Sequence, residues 1–230
     1  MASDLVRPCD IRGMNDDPLK PDPMAVEIDL TSVDLVLETT RSVRRRIDFE
    51  RPIDPEVIER CIEIASQAPT GINAENWRFM VITSADKKSR LADLYRRAFE
   101  DLSEARGIPM KPTQRALIDR FHEMPALILV CAEGRPPPES GAVQVGFYGS
   151  ILPAAWSLML ALRARGLGST WTSLLVLHEQ EVAEILGIPD DVSQTVLLPV
   201  GHMQGAVLRP AVRKPPHEVT YWEEWGKKRG

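Results

Sequence analysis

Hydrophobic and polar positions along this chain switch between two periods, and each switch predicts a change of secondary structure. From Asp54 to Ser66 the apolar residues fall on one face of a helix. The stretches 77–83 and 126–131 are mainly apolar runs of strand length, and the second is apolar enough for burial on both faces. The other predicted elements here are a strand at 169–176, a helix at 179–186 and a strand at 195–200. This order predicts a fold of mixed α and β elements.

The most apolar helix of the chain is predicted at residues 150–165. A helix that is apolar nearly all round is normally buried, either in a core or in a subunit interface. The continuous apolar runs are shorter than the roughly 20 residues that a membrane-spanning helix needs. The sequence therefore predicts no membrane span.

Length, charge and cysteine content exclude several classes of protein. A chain of 230 residues predicts one main domain, here 29–230, preceded by an irregular arm at 1–28 that is rich in Pro and Asp. The net charge of −5 disfavours a nucleic-acid partner. The three cysteines lie far apart, so neither a metal site nor a disulfide framework is predicted, and a cytoplasmic location is expected.

A polar turn joins the helix at 54–66 to the strand at 77–83. It contains a Pro-Thr-Gly sequence, which cannot continue a helix. Two short polar side chains, Thr70 and Asn73, are thereby placed at a helix-to-strand junction, where α/β proteins often build sites. An ordinary turn explains the same residues, since Gly, Asn and Pro dominate turns.

Two basic clusters interrupt an otherwise acidic chain. The first is Arg41–Arg46, which follows the first predicted helix, and the second comprises Arg209, Arg213 and Lys214. Guanidinium groups bind phosphate oxygens in a bidentate way, which favours an anion site. A solvated helix end explains the first cluster as well, because cations complement the helix dipole there.

The chain carries no motif for a protein-borne nucleophile and no metal-ligand motif. Its Gly166-Leu167-Gly168 precedes a strand and lacks the third glycine of a dinucleotide fingerprint. Its histidines are scattered, and nothing orders them into a catalytic triad. Arginines and small polar turns without a nucleophile are typical of a protein whose chemistry is carried by a bound cofactor.

The order and spacing of these features resemble the FMN-dependent nitroreductase family, from about Leu35 to the C-terminus. The matching motifs are Arg41–Arg44, the turn Ala68–Phe79, the helix end Leu158–Ser169, the strand end Pro199–Gly201 and the basic Arg213–Pro215. The chain departs from the family where Glu75-Asn76 replaces Gln-Pro and where Trp156-Ser157 replaces Gln-Asn. These departures bear on the substrate more than on flavin binding.

The resemblance implies an α+β fold with a mainly antiparallel central sheet wrapped by helices. It also implies an intertwined homodimer with two FMN sites at the interface, to which the helix at 150–165 would be central. NAD(P)H would deliver hydride to FMN, and a nitroaromatic or quinone-type acceptor would then take the electrons in a ping-pong mechanism. The segment 100–124 would cover the pocket and set its specificity.

The family's contacts to the outer part of the flavin carry over to residues of both basic clusters. By resemblance, Arg41 and Arg213, and also Arg45, would hold the FMN phosphate. Ser42 and Asn73 would form hydrogen bonds with the ribityl chain or the ring.

The contacts to the flavin ring carry over in the same way. Backbone groups near Ser173 and Leu174 would face N5, and either Arg44 or Arg45 would place a positive charge near N1 and O2. That charge would stabilise the reduced flavin. No side chain is expected to act as a catalytic acid, since the flavin itself carries the chemistry.

Two further functions are consistent with the same residues. One is a flavin enzyme of this fold with a different reaction, such as reductive dehalogenation, ene reduction or flavin destruction. The second is a flavin-binding protein without turnover.

Overall fold

The computed structural model describes residues 28–107 and 109–229. Over these residues the helices are α1 (Leu30–Thr39), α2 (Pro55–Ala65), α3 (Ala85–Arg106), α4 (Pro112–Asp119), α5 (Gly141–Ala164), α6 (Glu179–Leu186) and α7 (Pro216–Val219). The strands are β1 (Ile47–Asp48), β2 (Trp77–Ile82), β3 (Ala126–Glu133), β4 (Leu167–Ser169) and β5 (Val192–Met203). The predicted arm at 1–28 lies outside the described residues, apart from Ile28.

An antiparallel sheet forms the centre of the fold. The strand order is β1-β5-β3-β2, and β4 also pairs with β5. The central pair places Leu129 of β3 opposite Leu197 of β5, and β2 pairs along the other edge of β3 with Phe79 opposite Val130. The predicted α+β fold with a mainly antiparallel sheet is confirmed.

Strand β3 is buried on both faces, as its sequence predicts. Seven of its eight residues are buried. Leu127 and Leu129 join a core cluster that includes residues of α3, α4 and α6. Ala126 and Ile128 join a second cluster that includes residues of α2 and α5. Because successive side chains of a strand point to opposite faces, the sheet lies between two layers of helices.

Helix α2 begins and ends almost where the sequence predicts. The carboxylate of Asp54 caps it by accepting a hydrogen bond from the backbone amide of Glu56 at 3.0 Å. Its buried residues are Ile58, Cys61 and Ala65, which lie on the predicted apolar face. Local capping and helical periodicity agree here, and for that reason the prediction succeeds.

The predicted strand at 169–176 is wrong. Strand β4 ends at Ser169, and after it only an isolated bridge joins Thr172 to Leu197. The hydroxyl of Thr172 accepts a hydrogen bond from the backbone amide of Leu174 at 3.3 Å. Such a side-chain bond favours a turn. The chain therefore leaves the sheet at this point and continues as a 3₁₀ helix, Leu174–His178.

Helix α5 begins at Gly141, well before the predicted start at residue 150. The hydroxyl of Ser140 caps it by accepting from the amide of Val143. With these extra turns α5 is long and apolar enough, by length and composition alone, to cross a membrane. Residues such as Leu158 and Leu162 bury one of its faces in the core cluster shared with α2 and the sheet, as in the core helix of a globular fold.

Candidate functional site

A cavity of about 490 Å³ opens beside the segment that connects α1 to β1. Its walls come from two segments, Ser42–Arg46 and Gly205–Arg209, together with Thr113 of α4. The arginines that line it are Arg44, Arg45, Arg46 and Arg209. Among the described residues, no carboxylate side chain lines it. Guanidinium groups without acidic partners are suited to an anion such as a phosphate, and this cavity is called the arginine cavity below.

Hydrogen bonds to the end of β4 and to the segment after it hold the first basic cluster in place. The backbone amide of Val43 donates to the carbonyl of Ser169 at 2.9 Å. The hydroxyl of Thr170 donates to the carbonyl of Val43 at 2.7 Å. The hydroxyl of Ser42 accepts from the backbone amide of Trp171 at 3.1 Å. Since Val43 is also buried, its neighbours are fixed relative to the sheet.

Arg46 differs in role from the other arginines of this cavity. Its backbone has a φ of 58°, a left-handed conformation that is uncommon for a residue with a side chain. Its guanidinium donates to the carbonyl of Gly205 at 3.0 Å, and its own carbonyl accepts from the amide of Gln204 at 2.8 Å. Arg46 therefore joins the two walls of the cavity. Within the described residues, Arg45 and Arg209 have no hydrogen-bond or ion-pair partner.

A second cavity, of about 360 Å³, lies next to the first. Its lining is mainly aromatic and aliphatic, and we call it the aromatic cavity. The residues that line it are Arg44, Tyr95, Phe99, Leu102, Arg106, Gln114, Trp171, Thr172, Ser173, Leu174 and Leu177. Arg44 lines both cavities, so it stands between a site lined by arginines and a site lined by aromatic, aliphatic and polar side chains.

Tyr95 supplies the buried wall of the aromatic cavity. Its ring stacks on Phe121 with centroids 4.4 Å apart, and its side chain is 5% exposed. Burial raises the pKa of its hydroxyl, and the hydrogen bond to Thr172 and the charge of Arg44 lower it in part. Tyr95 therefore stays neutral and presents a polar group to the turn at Thr172.

Five of the eight predicted site residues line one of the two cavities or both. Ser42, Arg44 and Arg45 line the arginine cavity, and Ser173 and Leu174 line the aromatic cavity. The structure thus brings together residues that lie about 130 positions apart in sequence. Arg44 is half-buried between the two cavities, whereas Arg45 is exposed and lines only one of them.

Three predicted residues line neither cavity: Arg41, Asn73 and Arg213. Arg213 is exposed, and Arg209 of the same basic cluster takes a place in the arginine cavity. Their assignment to the phosphate or the ribityl chain stays a prediction.

Asn73 ends a short 3₁₀ helix, Gly71–Asn73, on the surface of α5. The amide of Gly71 donates to the hydroxyl of Ser150 at 2.9 Å, which fixes the loop against that helix. Asn73 has a φ of 55°, which asparagine tolerates better than most residues. Its side chain is exposed and points to no described partner.

Several residues of the aromatic cavity carry no functional signal in the sequence. Tyr95 occupies an ordinary apolar position on α3, and Arg106 stands where a cation complements the end of a helix. Gln114 belongs to the first turn of α4. Only Leu102, Arg106 and Gln114 fall within 100–124, the segment that the sequence assigns to the pocket.

The sequence profile of the nitroreductase family matches residues 37–202. This chain belongs to the nitroreductase family. The matched region contains Ser42–Arg46, called the arginine segment below, and the turn at Thr172, whereas the second wall of the arginine cavity, Gly205–Arg209, follows the matched region.

Two curated relatives of this nitroreductase-family chain are iodotyrosine deiodinases. The protein from Thermotoga neapolitana is 28% identical over 197 residues, which are 80% of this chain and 93% of that protein. The protein from Daphnia pulex is 25% identical over 178 residues, which are 73% of this chain but only 59% of the longer Daphnia protein.

A solved structure of iodotyrosine deiodinase has the same fold as this chain. That structure, in the oxidised state and bound to FMN and 3-iodo-L-tyrosine, superposes with a TM-score of 0.60. The sequences are 23% identical, and the superposition covers 84% of this chain and 98% of that one.

Proposed function

We propose that this chain is an FMN-dependent oxidoreductase that reduces a small aromatic substrate, with reductive dehalogenation favoured over nitro or quinone reduction. The observation that carries the proposal is the place of Arg44, which borders both the arginine cavity and the aromatic cavity. The preference for dehalogenation is supported by the deiodinase from Thermotoga neapolitana, most of whose length this chain matches.

The described residues suit FMN in charge, because guanidinium groups line the arginine cavity. The guanidinium groups of Arg45 and Arg209 have no acidic partner among them and would bind the phosphate. Arg44 would lie nearest the ring, in preference to Arg45, because it alone of the two reaches the aromatic cavity. Arg41 and Arg213 remain proposed phosphate ligands on the family resemblance.

FMN supplies two-electron redox chemistry when it is bound. The charge of Arg44 would stabilise the negative charge that reduction places on the ring, as preorganised electrostatics does elsewhere. The apolar walls formed by Phe99, Leu102 and Leu177 would exclude water from the aromatic substrate. In the part of the chain that the structure describes, no acidic or nucleophilic side chain lines the aromatic cavity apart from hydroxyl groups.

The active form that we propose is a homodimer. Apolar side chains of α5 remain exposed in the single chain, among them Val145, which is 75% exposed, and Trp156. Helix α1 likewise exposes Leu30 and Leu35. A second copy of the chain would cover these faces, since large exposed apolar patches normally mark an interface. The second copy would also place its exposed Asn73 loop beside the flavin of the first copy.

Reduction and reoxidation of the purified protein test the proposal. The protein is loaded with FMN, and binding is measured by the quenching of flavin fluorescence. It is then reduced without oxygen, with NADH, NADPH and dithionite in separate samples. The reduced protein is mixed with a halogenated phenol, a nitroarene or a quinone, while flavin absorbance and halide release are recorded.

Each class of function gives a different result. Halide release that matches the flavin reoxidised supports reductive dehalogenation, in which the aryl–halogen bond is replaced by an aryl–hydrogen bond. If the nitroarene reoxidises the flavin and the halogenated phenol does not, the protein is a nitroreductase. Double-reciprocal plots at several fixed acceptor concentrations should then be parallel lines. A protein that binds FMN, but whose reduced flavin none of these acceptors reoxidises, is a flavin-binding protein without turnover. Protein that binds no FMN contradicts the whole proposal.

A further inference from the structure

Two hydrogen-bond donors meet at one side of the aromatic cavity. Arg106 is the last residue of α3, and Gln114 lies in the first turn of α4. Both line the aromatic cavity, and both also line a smaller adjoining cavity of about 100 Å³. Phe99 and Leu102 line both cavities as well, so the donors stand beside an apolar surface.

The two side chains have hydrogen bonds left to donate. The guanidinium of Arg106 has no hydrogen-bond or ion-pair partner among residues 28–107 and 109–229. The amide oxygen of Gln114 accepts from the backbone amide of Lys111 at 2.8 Å, so its amide nitrogen remains as a donor. Within the same described ranges, no carboxylate side chain lines either cavity. This side of the pocket therefore offers donors and positive charge to a ligand.

We infer that Arg106 and Gln114 select aromatic substrates that carry an anionic substituent, such as a carboxylate, on the ring. A planar guanidinium matches a carboxylate in a bidentate way, and an amide nitrogen can donate to the same group. The aromatic and aliphatic residues beside them would hold the ring. This inference rests on the proposed function, because it takes the aromatic cavity as the substrate pocket.

Two alternative roles for Arg106 predict different behaviour. A cation in the last turn of α3 stabilises that helix through its dipole whatever the ligand. A guanidinium in the pocket would also bind the additional phosphate of NADPH, in which case it would select the donor and not the acceptor. Ligands that differ only in charge distinguish these roles from selection of an anionic substrate.

The test measures the affinity of FMN-loaded protein for 4-nitrobenzoate and for its neutral methyl ester, from the change in flavin absorbance on titration. The two ligands share the ring and the nitro group. The variants are Arg106→Gln, Arg106→Lys and Gln114→Leu. The matched control is Arg115→Gln. Arg115 lies on α4 outside the aromatic cavity, and its replacement removes the same positive charge.

We expect the unmodified protein to bind the carboxylate more tightly than the ester by roughly tenfold, which is the value of one charged hydrogen bond. Arg106→Gln should remove most of this preference, leaving the smaller share that Gln114 supplies, without changing the affinity for the ester. Arg106→Lys should keep part of it, Gln114→Leu should reduce it, and Arg115→Gln should leave it intact.

Three results would overturn the inference. The first is equal affinity for the two ligands in the unmodified protein. The second is a carboxylate preference that is undiminished in Arg106→Gln, or an equal loss of affinity for both ligands in that variant. The third is an Arg106→Gln variant in which the KM for NADPH is raised while the preference for the carboxylate over the ester is unchanged. The titration needs no turnover, so an enzyme that reduces none of the acceptors contradicts the proposed function and still reports on the charge preference.

Discussion

The hydroxyl of Ser42 accepts a hydrogen bond from the backbone amide of Trp171 at 3.1 Å. This bond ties the arginine segment to the wall of the aromatic cavity across 129 positions of sequence. It fixes the position of Arg44, two residues after Ser42, relative to the turn at Thr172. The relative placement of the two cavities therefore depends on this bond together with the two backbone contacts of Val43.

Replacing Ser42 with alanine should loosen this connection. A typical hydrogen bond contributes about 1 kcal/mol, so the free energy of unfolding should fall by about that amount and FMN should bind roughly fivefold more weakly. Urea unfolding and fluorescence titration with FMN measure the two effects. Ser66→Ala is the control, because its hydroxyl donates to the carbonyl of Glu63 on α2, outside both cavities. Equal FMN affinity in all three proteins would contradict the assignment.

Arg44 and Arg45 should have separable effects on the flavin. Loss of the charge in Arg44→Gln should destabilise the reduced flavin and lower its two-electron midpoint potential by roughly 30 mV or more, which corresponds to about 1.4 kcal/mol. Arg45→Gln should weaken FMN binding by roughly tenfold and leave the potential nearly unchanged. Spectroelectrochemical titration and equilibrium dialysis measure the two quantities. The reverse pattern would assign the ring contact to Arg45.

The buried Tyr95 should make the fold sensitive to alkaline pH. Burial raises the pKa of its hydroxyl, so the folded protein holds this proton more tightly than the unfolded chain does. Its contribution to stability is fully present below the ordinary tyrosine pKa of about 10 and is lost as the pH rises above that value.

Urea unfolding of the unmodified protein and of Tyr95→Phe, at several pH values, tests this expectation. As the pH rises above about 10, the free energy of unfolding should fall more steeply in the unmodified protein than in Tyr95→Phe. Burial also raises the pKa of Cys131, to about 12, but that thiol is present in both proteins and its effect cancels in the comparison. Parallel pH profiles would show that the Tyr95 hydroxyl does not titrate on unfolding.

A charge on the exposed face of α5 should disrupt the proposed homodimer. Val145→Glu places a carboxylate where the single chain exposes 75% of an apolar side chain. If this face is an interface, burying the unpaired charge should dissociate the dimer, and FMN binding should weaken with it. Sedimentation velocity and FMN titration measure both. Val81→Glu, at another exposed valine on β2, should stay dimeric. A monomer that binds FMN normally would contradict the proposal.

The sequence by itself determined those elements whose signals are local. Helix α2 has an Asp54 cap followed by helical periodicity, and strand β3 is an unbroken apolar run. The arginine segment was also visible, because guanidinium groups in a cluster point to an anion without reference to the rest of the chain. Such signals depend on neighbours within a few positions.

Only the tertiary structure decided which residues share a cavity. Thr172 still exchanges two backbone hydrogen bonds with Leu197 of β5, and the predicted strand ends just after it, where the hydroxyl of Thr172 accepts from the amide of Leu174 in a turn. Arg209 joins Arg44, and Tyr95 and Arg106 join Ser173, through contacts between segments that are far apart in sequence. In the sequence these are a loop arginine, an apolar helix position and a helix-end cation. Their role arises from where the packed sheet and helices bring them, which no local pattern records.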